Sequence, residues 1–300
     1  MADVKIPDGV IAPNLTPFND DLSIATDLYV ANARRLLEGG CVALAPFGTT
    51  GEALSVGIEE RLKAMDALIE AGIEPRRLVP GTGLTNLPDT ALLTRRAMEV
   101  GCAGAMTLPP FYFKGVADEG LFAYFARLIE MVGRDDLRLY LYHIPQVAGV
   151  GIPVAVVRRL REAFPRQIVG IKDSSGDWQN TRQLFEIEGL IVYPGAELPL
   201  LDALALGGPG CISATANLNA HGIAEVIRLY RAGEIAAARD LHERVKRFRL
   251  VVQDYAPIPA QKRLIALSTG EARWANVRPP LLPMSVEKGR ELATKVAGLT

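Results

Sequence analysis

The stretch Ile168-Val169-Gly170-Ile171-Lys172-Asp173-Ser174-Ser175-Gly176 is a short apolar run that breaks into a polar turn immediately after a lysine. A run of this length bounded by a turn reads as a strand covered on both faces, the kind found in parallel sheets. Seven further segments repeat the pattern, near residues 10–14, 41–46, 78–81, 104–108, 137–143, 190–194 and 210–213. Between them, residues 27–38, 58–71, 89–100 and 118–131 carry apolar side chains at helical spacing with charges on the other side. Eight such repeats predict a closed (β/α)8 TIM barrel of the α/β class rather than an open doubly wound sheet. Residues 223–232, 235–252, 261–267 and 286–296 read as further helices, separated by breaks at Pro257-Ile258-Pro259 and Pro279-Pro280. The expected organisation is a barrel over residues 1–219 followed by a C-terminal helical extension over 220–300.

Composition narrows the partners. The chain has 300 residues, 49% of them hydrophobic, and a formal net charge of -1. That balance offers no basic footprint for nucleic acid and none for an anionic membrane surface, so small molecules are the expected ligands. The start Met1-Ala2-Asp3-Val4-Lys5-Ile6-Pro7 lacks the basic and apolar regions of a secretory signal, and a cytoplasmic protein is expected. Cys41, Cys102 and Cys211 are widely spaced in apolar or glycine-rich surroundings, which predicts buried free thiols. His143, His221 and His242 are too far apart in sequence to suggest a metal cluster, and no metal is expected. The loop Gly81-Thr82-Gly83-Leu84-Thr85-Asn86 lacks the full glycine spacing of a nucleotide fingerprint and reads as a helix-leading loop.

In a barrel of this kind the functional residues stand at the C-terminal ends of the strands. Lys172 occupies such an end. An amine there is partly desolvated, which favours the neutral nucleophile able to attack a ketone carbonyl, the first step of Schiff-base chemistry. The ordinary alternative is a lysine satisfied by solvent or by Asp173. In Leu139-Tyr140-Leu141-Tyr142-His143, alternation puts Tyr140 and Tyr142 on one face with Tyr142 nearer the mouth, a candidate acid/base. The loop Phe47-Gly48-Thr49-Thr50-Gly51-Glu52-Ala53-Leu54 combines two glycines with two hydroxyls and exposed amides, a turn that can hold a carboxylate.

These pieces together resemble the pyruvate-dependent class I lyases and aldolases that include dihydrodipicolinate synthase and N-acetylneuraminate lyase. The resemblance runs over most of the chain and rests on Gly48-Thr49-Thr50-Gly51-Glu52, the segment from Tyr142 to Gly149, Gly170-Ile171-Lys172-Asp173-Ser174-Ser175, and Gly210-Cys211-Ile212-Ser213-Ala214-Thr215-Ala216-Asn217. It implies a homotetramer built from tight dimers and no cofactor beyond a covalent lysine imine. It further implies that Lys172 forms the imine with pyruvate, that Tyr142 shuttles protons, and that Thr49 links Tyr142 to Tyr112, which reaches across a dimer interface. Thr49 and Thr50 match the turn that holds the pyruvate carboxylate, and the Ile212 carbonyl faces the imine.

Two departures bear on the second substrate. Members that make dihydrodipicolinate usually carry an arginine two residues after the proline of the Tyr142 motif, where this chain has Val147, and a valine cannot pair with a carboxylate. His143 replaces the common asparagine. Ser174 and Glu197 are candidates to bond sugar hydroxyls, so a 2-keto-3-deoxy sugar acid cleaved to pyruvate and an aldehyde is the expected substrate class. The alternatives are dihydrodipicolinate synthase, joining pyruvate to aspartate semialdehyde, and a non-catalytic small-molecule sensor on the same barrel.

Overall fold

Strands at Val10–Ala12 (β1), Cys41–Leu44 (β2), Ala105–Thr107 (β3), Leu139–His143 (β4), Ile168–Asp173 (β5), Ile191–Pro194 (β6) and Cys211–Ile212 (β7) alternate with helices along the chain. The computed structural model describes residue 6 and residues 8–299; the rest of the N-terminal stretch read above for a targeting signal lies outside the described residues. The described chain forms two compact units, one comprising Glu74–Ile212 with Ile6 and Asp8, the other Gly9–Ile73 and the segment from Ser213 onward.

In the first unit β3, β4, β5 and β6 form a parallel sheet in that order. Parallel register sets Tyr142 beside Lys172 and Lys172 beside Tyr193. Laterally paired residues share a face of the sheet, so these three side chains project from the same side, while His143 and Asp173 project from the other. Glycines permit the close packing of this face: a Cβ on Gly170 would lie 2.7 Å from the Tyr140 ring, and one on Gly104 would lie equally close.

The strand expected at residues 78–81 is reduced to a single parallel bridge between Gly81 and Met106. Its carbonyls still serve the neighbouring strand, since the Ala103 N–H donates to Leu78 O at 3.0 Å and the Met106 N–H to Pro80 O at 2.9 Å. Pro80 has no N–H to donate, which shortens the ladder at its middle. The loop that follows leads into the helix Leu87–Glu99, where Asn86 Oδ1 accepts the Asp89 N–H at 2.9 Å as an N-cap.

In the second unit β1 and β2 pair in parallel. Asn217 explains why an amide closes the glycine-cysteine motif. Its Oδ1 accepts the Leu15 N–H at 3.1 Å and its Nδ2 donates to Pro13 O at 3.0 Å, satisfying the backbone just beyond β1. The later helices are Ala216–Arg231, Ile235–Gln253, Pro257–Thr269 and Val286–Val296. The first begins at Ala216, earlier than periodicity suggests, and is kinked at Asn219 (φ -136°, ψ 49°), so its opening turn does not continue the later helix regularly. The Pro257-Ile258-Pro259 break proves to be the first turn of a helix, where backbone N–H groups lack intrahelical partners and proline costs little. Cys41, Cys102 and Cys211 are buried and in no disulfide, and burial pushes the Cys102 thiol up to about 12. Among the described residues no helix is long and apolar enough to cross a membrane.

Candidate active site

Lys172 lies near the end of β5 with 4% of its surface exposed, and its Nζ sits 4.3 Å from the centroid of the Tyr142 ring. Tyr142 on β4 and Tyr193 on β6 flank it in register and are likewise buried. The amine is thus walled by aromatic surface, an environment that removes water without removing the polar tips of the tyrosines.

Asp173 does not occupy the place of a counter-ion. It projects from the opposite face of β5, where one carboxylate oxygen accepts the Ser175 N–H at 2.9 Å and the other accepts from Asn180 Nδ2 at 2.9 Å and Thr181 Oγ1 at 2.8 Å. Its carbonyl takes the Gly195 N–H at 2.6 Å. These bonds fix the turn after Lys172 and attach it to the helix Trp178–Phe185, itself capped by Asp177. A cap of this type is worth about 0.5–2 kcal/mol.

His143 shares that outer face. Its Nδ1 accepts the Ile152 N–H at 2.8 Å, which places the imidazole proton on Nε2, and burial holds its pKa below the ordinary histidine value against the opposing charge of Asp173. Its carbonyl accepts the Ser174 N–H at 2.8 Å. The histidine therefore braces the segment after the Tyr142 strand, whereas the amine of Lys172 lies on the opposite side of the sheet.

Ser174 is half-buried and packs against the chain at Gly195, where a Cβ would fall 1.9 Å from Ser174 Oγ; only glycine fits there. Gln146 Nε2 donates to Ser174 O at 2.5 Å. Glu197 is fully buried, unlike an ordinary loop carboxylate, and Ile212 on β7 is buried as well. Val147 lies in the short helix Pro145–Ala148 and is 62% exposed. Tyr112 is 74% exposed and meets Phe113 edge-on at 5.6 Å. Nearby, Lys114 Nζ donates to Ala148 O at 2.6 Å, joining the loop of Tyr112 to the short helix of Val147.

Thr49 and Thr50 belong to the second unit, in a turn flanked by Phe47 (φ 58°) and Glu52 (φ 55°), both in the left-handed region. Within it the Gly51 N–H donates to Gly48 O and the Glu52 N–H to Thr49 O, each at 3.1 Å. Thr16 Oγ1 donates to Gly51 O at 2.8 Å. A tightly curled segment of this type can present successive amides to an anion.

Tyr193 and the buried partners of Glu52 are the neighbours that reading the sequence did not single out. Tyr193 stands at the end of its strand as Lys172 and Tyr142 do at theirs, and lateral alignment of the strand ends is the signal that could have found it. Among the described residues no group of three His, Cys, Asp or Glu side chains is arranged to hold a metal ion.

Comparison with known proteins identifies the family. The model of the dihydrodipicolinate synthetase family matches residues 6–298. A 4-hydroxy-tetrahydrodipicolinate synthase of Thermus thermophilus is 36% identical over 284 residues, covering 93% of this chain and 92% of that protein. The crystal structure of dihydrodipicolinate synthase from Agrobacterium tumefaciens superposes with a TM-score of 0.88 at 35% identity, covering 97% of this chain and 99% of the other. YagE, a prophage protein of the dihydrodipicolinic acid synthase family from E. coli K12 whose structure holds pyruvate, superposes with a TM-score of 0.89 at 27% identity, covering 97% and 98% of the two chains. The fold is therefore a (β/α)8 barrel with a C-terminal helical extension, and the chain belongs to the dihydrodipicolinate synthetase family of lyases of the class I aldolase type.

Proposed function

We propose that this protein is a pyruvate-dependent Schiff-base aldolase that cleaves a 2-keto-3-deoxy sugar acid to pyruvate and an aldehyde. The observation that carries the reading is the buried Lys172 amine lying 4.3 Å from the Tyr142 ring on one face of the sheet. Family membership and the pyruvate held by the YagE structure support the choice of a pyruvyl substrate.

Lys172 Nζ adds to C2 of the 2-oxo acid, and the Tyr142 hydroxyl supplies the proton with which the C2 oxygen leaves as water, giving a protonated imine. The C3–C4 bond then breaks. Its electron pair moves into the imine to leave an enamine, while the C4 hydroxyl proton passes to Tyr142 and the aldehyde departs. Protonation at C3 and addition of water at C2 release pyruvate and restore the amine. The imine is the electron sink, so no metal or other cofactor enters these steps. In this reading Thr49 and Thr50 hold the substrate carboxylate, Thr49 continues the proton relay, and the Ile212 carbonyl faces the imine. Ser174 and Glu197 bond hydroxyls of the sugar chain. Tyr112 completes the relay of a neighbouring subunit in a cytoplasmic homotetramer, a role that its exposure suits. The barrel that carries these groups spans residues 1–219 and the helical extension 220–300.

The direct test is reduction with borohydride in the presence of pyruvate. One lysine, Lys172, should gain the reduced adduct, located by peptide mapping; an adduct on another lysine overturns the assignment.

Substrate choice is tested at Val147. A charge-assisted hydrogen bond contributes about 1.5–3 kcal/mol, so lacking an arginine there should disfavour aspartate semialdehyde by about ten- to a hundredfold. Catalytic efficiency for a keto-deoxy sugar acid should accordingly exceed that for aspartate semialdehyde. Val147→Arg should narrow the gap, and the exposure of Val147 leaves room for the longer side chain. Efficient dihydrodipicolinate formation by the unaltered enzyme, with no cleavage across a panel of keto-deoxy acids, would instead establish the synthase.

A further inference from the structure

The turn that bears Thr49 and Thr50 ends in a carboxyl side chain with no access to water. The Glu52 and Lys262 side chains are both 0% exposed, and Lys262 Nζ donates directly to Glu52 Oε1. The other Glu52 oxygen accepts the Arg278 N–H at 3.2 Å. Lys262 Nζ also donates to Asn276 O at 2.8 Å and lies 4.4 Å from the Phe18 ring centroid. Arg278 is itself anchored, its guanidinium donating to Glu60 at 2.5 and 2.8 Å and to Leu22 O at 2.7 and 3.0 Å. Residues separated by more than 200 positions in sequence thus converge on one carboxylate.

Stability alone is a poor reason for such a pair. Taking two ions out of water costs about as much as their attraction returns, and apolar side chains of similar volume fill such space equally well. The backbone adds a second oddity: Glu52 has φ 55°, a conformation that favours glycine, yet a glutamate stands there. Both features make sense if the carboxylate serves as an anchor that sets the shape of the turn.

We infer that the Glu52–Lys262 pair, with Arg278, positions the Thr49-Thr50 turn for the substrate carboxylate, making the helix Pro257–Thr269 part of the apparatus for substrate affinity. This rests on the reading that the turn holds that carboxylate. Neither Glu52 nor Lys262 touches the reacting atoms in this account; they are positioning residues. Their loss should weaken capture of pyruvate more than the chemistry that follows.

The test compares Glu52→Gln and the double variant Glu52→Gln/Lys262→Met with the unaltered enzyme, reading thermal stability and borohydride trapping of Lys172 against pyruvate concentration. The double variant removes both charges at nearly constant volume, so its melting temperature should stay near that of the parent. The pyruvate concentration for half-maximal trapping should rise about tenfold or more, as a displaced binding group demands, while the trapping rate at saturation changes little. A stable double variant with parental half-saturation overturns the inference, because the pair would then be structural filling. Should the double variant fold poorly, Glu52→Gln, assayed below its melting temperature, decides in the same way, since it keeps the shape and one acceptor oxygen while removing the charge and one of the two accepted bonds. If the unaltered enzyme traps no pyruvate, the proposed function fails rather than the positioning role.

Discussion

Lys172→Ala is expected to lower kcat by on the order of 10⁴-fold or more, since removing the nucleophile of a covalent mechanism deletes its route rather than slowing it. The variant should still fold. Lys172 makes its closest aromatic contact with Tyr142, and the turn beyond it is secured by Asp173 through groups that the substitution leaves in place. Pyruvate release from a keto-deoxy acid, followed with a coupled assay, reads the activity, while circular dichroism and thermal melting report the fold. A folded variant that kept a substantial fraction of the parental rate would falsify the imine mechanism. The borohydride adduct should disappear in the same variant, which ties the lost rate to the lost amine.

Tyr142→Phe should produce the second largest loss. Proton transfer by a positioned side chain contributes roughly 10²–10⁴-fold, and the phenylalanine ring preserves the aromatic wall 4.3 Å from the amine while deleting the hydroxyl. Turnover should therefore fall by about that factor. The reduced pyruvate adduct should still form at Lys172, though more slowly, because the nucleophile survives and water can move protons less efficiently. Trapping and turnover are thereby separated. If the phenylalanine variant keeps nearly full kcat, the proton must travel by another route, and Tyr193 beside Lys172 is the group to examine next.

Much of this was legible in the sequence, for reasons that differ by residue. Apolar runs bounded by turns report strands buried on both faces, and seven of the eight runs are strands. The exception at residues 78–81 contains a proline whose missing N–H a hydropathy pattern does not register. Helix interiors follow periodicity, as Asp118–Val132 and Val286–Val296 do, but starts depend on caps and prolines. That is why Pro257 and Pro259 read as a break while serving as a first turn. The placement of Lys172 beside Tyr142 was visible because each stands near a strand end and alternation fixes the face. The role of His143 was not, since it depends on a bond to Ile152 that follows from the course of a loop. Lys262 was hidden for a simpler reason: its partner Glu52 lies 210 residues away, and nothing local announces that either side chain is buried.

Four hydrogen bonds hold Asp173, the residue next to the amine, two to the helix after β5, one to the following turn and one from Gly195. The backbone next to Lys172 is thereby tied on several sides, and in the proposed mechanism the changing geometry of nitrogen, from tetrahedral amine to planar imine and enamine, falls to torsions of the lysine stem. On that proposal the substrate would ride on a short tether whose base is anchored by these bonds. Successive species along the reaction would then differ in the angle at which the tether leans toward Tyr142, so selectivity for the size of the departing aldehyde becomes a matter of arc rather than of strand movement.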